Sequence, residues 1–241
     1  LEGGSAWINL AGATVSNRWT SSYKNTMIKS RLNTTQKCVD IMAQLTRPPS
    51  VFINASAIGY YGSLCAGILM DDNGSPGNDF LAQLCQEWEK IALKAQSITR
   101  VVLPRLGVVL SNHGGAYPKI KLPFRLGVGG RLGSGMQGFP WIHIDDVVSC
   151  FEYAINNTNI SGPFNLVAPE KTTMASFCQE IAKQLNRPNL MAIPDWFLRI
   201  ILGEMATIIL DPPLITSEKI VNAGYQFKYQ HLDHALRELI I

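Results

Sequence analysis

The stretch Ala6-Trp7-Ile8-Asn9-Leu10-Ala11-Gly12 decides the fold, because AWINL is a short, largely apolar run that closes on Ala and Gly. Such a run reads as a buried parallel strand feeding a loop. Downstream, Ile28, Leu32, Thr35, Val39 and Met42 recur at spacings of four and three, one face of a helix that Pro48-Pro49 ends. Residues 51 to 54 give a second strand, and a Gly- and Asp-rich loop runs on to Asn78. Leu81, Leu84, Trp88, Ile91 and Ala95 mark a second amphipathic helix, and residues 101 to 110 supply a third strand. Strand, helix, strand, helix, strand at these lengths is the pattern of βαβ units, an α/β doubly wound parallel sheet with helices on both faces.

The sheet reads as starting in its middle. A doubly wound nucleotide-binding sheet opens with a strand and a glycine turn whose amides and helix N-terminus hold a pyrophosphate. Here the first residues already read as a later strand, and Leu1 stands where an initiator Met would. The expectation is an N-terminally truncated sheet whose cofactor loop is missing.

Beyond the third strand, glycines cluster from Gly114 to Gly138 and read as a loop-rich region leading into Trp141-Ile142-His143-Ile144-Asp145-Asp146. The two acids suit a helix N-terminus, with Arg105 as their expected partner across the sheet. Residues 162 to 167 read as a strand and 172 to 185 as a helix; short helices follow, including 217 to 223 and 232 to 240.

Composition narrows the partners. Twenty-one basic against 18 acidic residues, without a basic run, argue against nucleic acid. Five cysteines (Cys38, Cys65, Cys85, Cys150, Cys178), odd in number and without CxxC spacing, suggest neither a metal site nor a disulfide framework, and fit a reducing, cytoplasmic compartment. The most apolar stretch, 196 to 215, is broken by Arg199, Gly203, Glu204, Asp211 and two prolines, so it reads as a buried helix pair and not as a membrane span.

Several motifs taken together resemble a known family: NLAG at 9 to 12, SRLNTTQ at 30 to 36, GYYG at 59 to 62, Trp88-Glu89, PFRLGVGGRLGSG at 123 to 135 and WIHIDD at 141 to 146. They are similar to the extended short-chain dehydrogenase/reductase superfamily, and within it to an epimerase-family branch that is nucleoside-diphosphate-sugar-epimerase-like. The resemblance runs over essentially the whole chain. It implies a Rossmann-type NAD(P)-binding domain over 1–165 and a small C-terminal α+β substrate domain over 166–241, with roughly 60 residues of βα units absent in front. It also implies NADP, or NAD, as cofactor and a small-molecule substrate that is nucleotide-sugar-like or a small carbonyl, and it leaves a homodimer open.

In that superfamily a Tyr acts as acid/base with a Lys four residues on. Aligned through Trp88-Glu89, those positions hold Leu81 and Cys85, or Phe80 and Leu84 one residue earlier, and none exchanges protons at neutral pH. The literal YxxxK at Tyr117 to Lys121 follows the wrong strand, and Pro118 fits only a first helical turn, so it reads as coincidence. Candidate catalytic residues are therefore Ser56, at the end of the second strand, and Tyr60 and Tyr61 just after it, where ligands bind in such sheets; the alternative is a loop cap and two packing rings. The resemblance places Leu10, Ala11, Gly12, Arg31 and Val109 at the cofactor, with a surface ion pair as the alternative for Arg31. His143 reads as structural. The glycine-rich segment 127 to 135 reads as a substrate-side loop, or equally a tight structural one, with Arg125 and Arg131 available to anions. Two functions stay open: an NAD(P)-dependent epimerase or oxidoreductase-like protein, and a dinucleotide-binding regulator or non-functional fragment without catalysis.

Overall fold

The apolar run that opens the chain forms β1 (Ala6–Asn9), followed by α1 (Ser21–Met42), β2 (Val51–Asn54), β3 (Ser56–Ala57) and a 3-10 turn over Ile58–Tyr61. Next come β4 (Leu69–Met70), α2 (Phe80–Leu93), β5 (Arg100–Leu106), β6 (Val108–Leu110), α3 (Tyr117–Arg125), β7 (Gly130–Leu132), β8 (Trp141–His143) and α4 (Ile144–Asn156). The remainder is β9 (Gly162–Leu166), α5 (Met174–Gln184), β10 (Met191–Ile193), α6 (Asp195–Leu202), α7 (Thr207–Leu210), β11 (Leu214–Ile215), α8 (Glu218–Asn222) and α9 (Leu232–Ile240). This is a computed structural model, and it describes residues 2–63 and 67–240.

The central sheet is parallel throughout, in the order β1, β2, β5, β9, with β3 continuing the β2 side past Ala55. Alternation along the strands explains the two helical layers. Phe52, Val101 and Leu103 point to one face and pack with Val39 and Met42 of α1 and Ala92 of α2. Val51, Ile53 and Val102 point to the other and pack with Val147, Cys150 and Phe151 of α4. All four β2 residues are buried, the continuous burial that a parallel strand covered on both faces requires. A further core gathers Trp141, Phe177, Leu236 and Leu239 under α5 and α9.

Three expectations are corrected. Residues 101 to 110 are two strands, because Gly107 presses onto the Pro140 carbonyl, where a Cβ would lie 2.7 Å away, and the chain leaves the central sheet for a ladder of β6 with β8. The glycine-rich region holds α3, with Pro118 in its first turn, and β7, which pairs with β10 so closely that no side chain fits between Gly130 and the Met191 carbonyl. The stretch 196 to 215 is not buried on all sides: α6 turns Leu198 inward and leaves Trp196, Phe197, Ile200 and Ile201 exposed. Its polar residues are occupied at the flanks, Arg199 with Asp211 at 3.1 Å and Glu204 with Lys24 at 2.6 Å.

The two edges of the central sheet differ. The outer edge of β9 is capped by side chains: Lys219 Nζ donates to the Ser161 and Pro163 carbonyls, Asp72 accepts from Asn165 N, and Ser217 bonds both backbone groups of Val167. Among the described residues no side chain caps the outer edge of β1, and Ile8 on that strand is 47% exposed.

Candidate functional site

In a parallel sheet of this kind ligands meet the carboxyl ends of the strands. There, β1 and β2 end side by side on Asn9 and Asn54. Asn9 Nδ2 donates to Asn54 Oδ1 at 2.7 Å and to Thr35 Oγ1 at 3.0 Å, and Trp88 Nε1 donates to the same Thr35 oxygen at 2.8 Å. These buried bonds tie α1 and α2 to the strand tips and fix where the following residues emerge. Leu10, Ala11 and Gly12 emerge exposed, Leu10 to 61%. Arg31 reaches them from α1: its guanidinium crosses Gly12 so closely that a Cβ there would meet Cζ at 2.9 Å and push the guanidinium aside. Val109 lies half-buried on β6, opposite Ile142.

A second cluster forms at β3 and the turn after it. Ser56 Oγ donates to Glu89 Oε1 at 2.6 Å, and the same carboxylate receives Arg105 Nε at 2.8 Å and the second guanidinium nitrogen at 2.9 Å. Arg105 also donates to the Tyr61 hydroxyl at 3.1 Å, which stands 2.7 Å from Asn165 Oδ1, and its Cζ lies 3.5 Å from the Tyr60 ring centroid. The structure thus gathers Ser56, Tyr60 and Tyr61 around one buried ion pair. Burial works against the Arg105 charge, but the bonds and charge of Glu89 outweigh it and push its pKa up. Burial raises the Tyr61 pKa, with Arg105 offsetting part of the shift. Ser56 and Tyr61 are enclosed, so of the three only Tyr60 keeps substantial surface.

Arg105 therefore does not partner Asp145 or Asp146. Asp146 accepts the backbone N–H groups of Lys228 and Tyr229, and Asp145 pairs with Lys228 Nζ at 2.9 Å. The cap of α4 is His143, whose Nδ1 accepts from Asp145 N at 3.2 Å; burial lowers its pKa, which suits an acceptor nitrogen.

The positions where the superfamily's Tyr and Lys would stand are apolar. Leu81 and Cys85 flank Gly59, and burial first, then the Glu89 charge, push the Cys85 thiol up to about 12. The literal YxxxK faces elsewhere: Tyr117 is fully buried with its hydroxyl unpartnered and its pKa raised to about 12 by burial, while Lys121 Nζ donates to the Leu239 carbonyl. The described cysteines, Cys38, Cys85, Cys150 and Cys178, are unpaired; Cys65 lies outside the described residues. No helix among the described residues is long and apolar enough to cross a membrane.

The residue that sequence reasoning missed is Glu89. The signal was available: a carboxylate one turn from Cys85 on the inward face of α2, and a lone Arg inside the apolar strand VVLPRL, are two charges that burial forces to meet.

The NAD dependent epimerase/dehydratase family model matches residues 2–167. This chain belongs to that family. A second model, a domain of unknown function (DUF1731), matches residues 193–239 of this family member. The Epimerase family protein SH2119 of Staphylococcus haemolyticus is 40% identical over 234 residues, 97% of this chain and 78% of that one. Among solved structures, the human epimerase family protein SDR39U1 (isoform 2) with NADPH superposes with a TM-score of 0.95 at 32% identity, covering 100% of this chain and 83% of that one. The nucleoside-diphosphate sugar epimerase from Corynebacterium glutamicum gives a TM-score of 0.81 at 29% identity, over 100% of this chain and 47% of that one. The Rossmann-like α/β fold of the family is the fold observed here.

Proposed function

We propose that this chain binds NADP, or NAD, at the carboxyl ends of β1 and β2, next to a small-molecule ligand that is nucleotide-sugar-like or a small carbonyl. The observation that carries the reading is the close approach of Arg31 to Gly12 at the exposed end of β1, in a chain that superposes on an NADPH-bound relative. Leu10, Ala11 and Gly12 present backbone without bulk, as a dinucleotide lying against a strand end requires. Residues 1–165 form the dinucleotide part and 166–241 the substrate side; the unpaired cysteines support a reducing, cytoplasmic setting. A bound nicotinamide would supply hydride transfer.

A second reading, binding without that chemistry, is favoured by one arrangement. Leu81 and Cys85 offer no proton at neutral pH, and Ser56 and Tyr61 are committed to the Glu89–Arg105 pair. Of the two readings we adopt binding without Tyr/Lys hydride chemistry. Titrating NADPH into the chain, then following the reduced nicotinamide by absorbance against a carbonyl library, tests both parts. Heat of binding with the nicotinamide left reduced is the expected result. Steady oxidation by any carbonyl refutes the second part, and no heat refutes the first.

A further inference from the structure

The face that α6 turns to solvent has no partner in this fold. Trp196, Phe197, Ile200 and Ile201 stand at spacings that put them on one side of the helix, while Leu198 and Leu202 pack inward. The exposed residues are large and stand well out of the surface, Trp196 to 64%. β10, which leads into α6 through Pro194, continues the surface: Leu190 just ahead of it is 89% exposed, and Met191 is exposed as well. Because β10 pairs in parallel with β7, Met191 opposite Gly130, the exposed Val128 lies at the same end of that ladder as Leu190. Contiguous apolar surface of this kind marks a place of contact.

The charges around it say what it would take. Residues 125–133 and 187–202 carry four basic residues and one acidic, Asp195, in a chain that holds 21 basic and 18 acidic residues overall. Arg199 is answered by Asp211. Arg125, Arg131 and Arg187 are exposed, and among the described residues none of them has a carboxylate within ion-pair distance. A second copy seated here about a two-fold axis would set these arginines against their own kind, with Asp195 alone to answer them. An acidic lipid surface answers all three at once: the aromatic and aliphatic side chains enter the headgroup boundary while the guanidinium groups meet phosphates. At eight residues, α6 is far too short to span a bilayer and suits lying in its interface.

We propose that α6, with β10 in front of it, is a docking surface for an anionic membrane, on which the chain lies without crossing it. Flotation of the whole chain with vesicles of equal parts phosphatidylglycerol and phosphatidylcholine, against vesicles of phosphatidylcholine alone, tests this, with circular dichroism to check the folding of each variant. The chain is expected to float with the anionic vesicles and not with the neutral ones, and to be released as salt rises. Ile200→Glu, on the exposed face, is expected to abolish flotation. Arg125→Gln combined with Arg187→Gln is expected to weaken it about thirtyfold, at about fivefold for each cation near an anionic surface. If Ile200→Glu does not fold, the arginine variant carries the comparison. Absence of flotation with anionic vesicles, equal flotation with neutral ones, or flotation unchanged in the folded variants overturns the proposal. So does a dimer, seen by sedimentation, that Ile200→Glu dissociates in a chain that does not float, which gives the face to a second copy instead.

Discussion

Replacing Glu89 by Gln isolates the contribution of the buried ion pair beneath β3. In the native chain the Glu89 and Arg105 side chains are 7% and 4% exposed, and the carboxylate accepts from two guanidinium nitrogens and from Ser56. Gln keeps one acceptor oxygen. In either orientation its amide nitrogen would face a guanidinium N–H, donor against donor, and the Arg105 charge would remain buried without its counterion. Removing one partner of such a pair costs about 3–5 kcal/mol. For a chain of this length that corresponds to a fall in melting temperature of roughly 6–20 °C. The double variant Glu89→Leu with Arg105→Met removes both charges and is expected to lose less than Glu89→Gln alone, because no uncompensated charge remains. Thermal and urea unfolding of the three proteins supply the comparison. A Glu89→Gln melting point within about 1 °C of wild type, or a double variant less stable than the single, would refute the reasoning.

Three further outcomes follow from the same structure. Thr35→Val keeps shape but leaves the Trp88 N–H and one Asn9 donor buried without their acceptor, and should cost about 2–4 kcal/mol in urea unfolding. His143 has a folded pKa lowered from 6.5, chiefly by burial, so the unfolded chain binds more protons below that pH. Stability should then be full above about pH 6.5 and fall as pH drops toward the folded value, and His143→Asn, which still caps α4, should flatten that slope below about pH 6.5. Ile8→Lys places a charge on the uncapped edge of β1 and should raise the monodisperse fraction in light scattering; an unchanged aggregate fraction would show that this edge is not what self-associates.

How much of this was legible in the sequence varies with the range of the forces involved. Local signals did well: β2 spans the expected Val51–Asn54, and β1 stops one residue short of the reading, at Asn9, whose side chain turns into the hub with Thr35 and Asn54. The first helix starts at Ser21, seven residues before the first residue of its apolar stripe, because Thr20 caps it by accepting from Tyr23 N. What failed depended on distant partners. Gly107 breaks a strand only because Pro140 lies against it, and Arg105 meets Glu89 instead of Asp145 because α2 crosses behind β5. The outward face of α6 is as apolar as a buried one, so composition alone could not orient it. At the candidate site, Gly12 and Arg31 were legible through a motif, whereas the close approach of the guanidinium to Gly12 is a packing distance that no motif encodes.

The central claim is that NADP, or NAD, binds at the carboxyl ends of β1 and β2, where Arg31 lies against Gly12. Calorimetric titration with NADPH measures the claim directly. The account predicts saturable heat. No heat would contradict it.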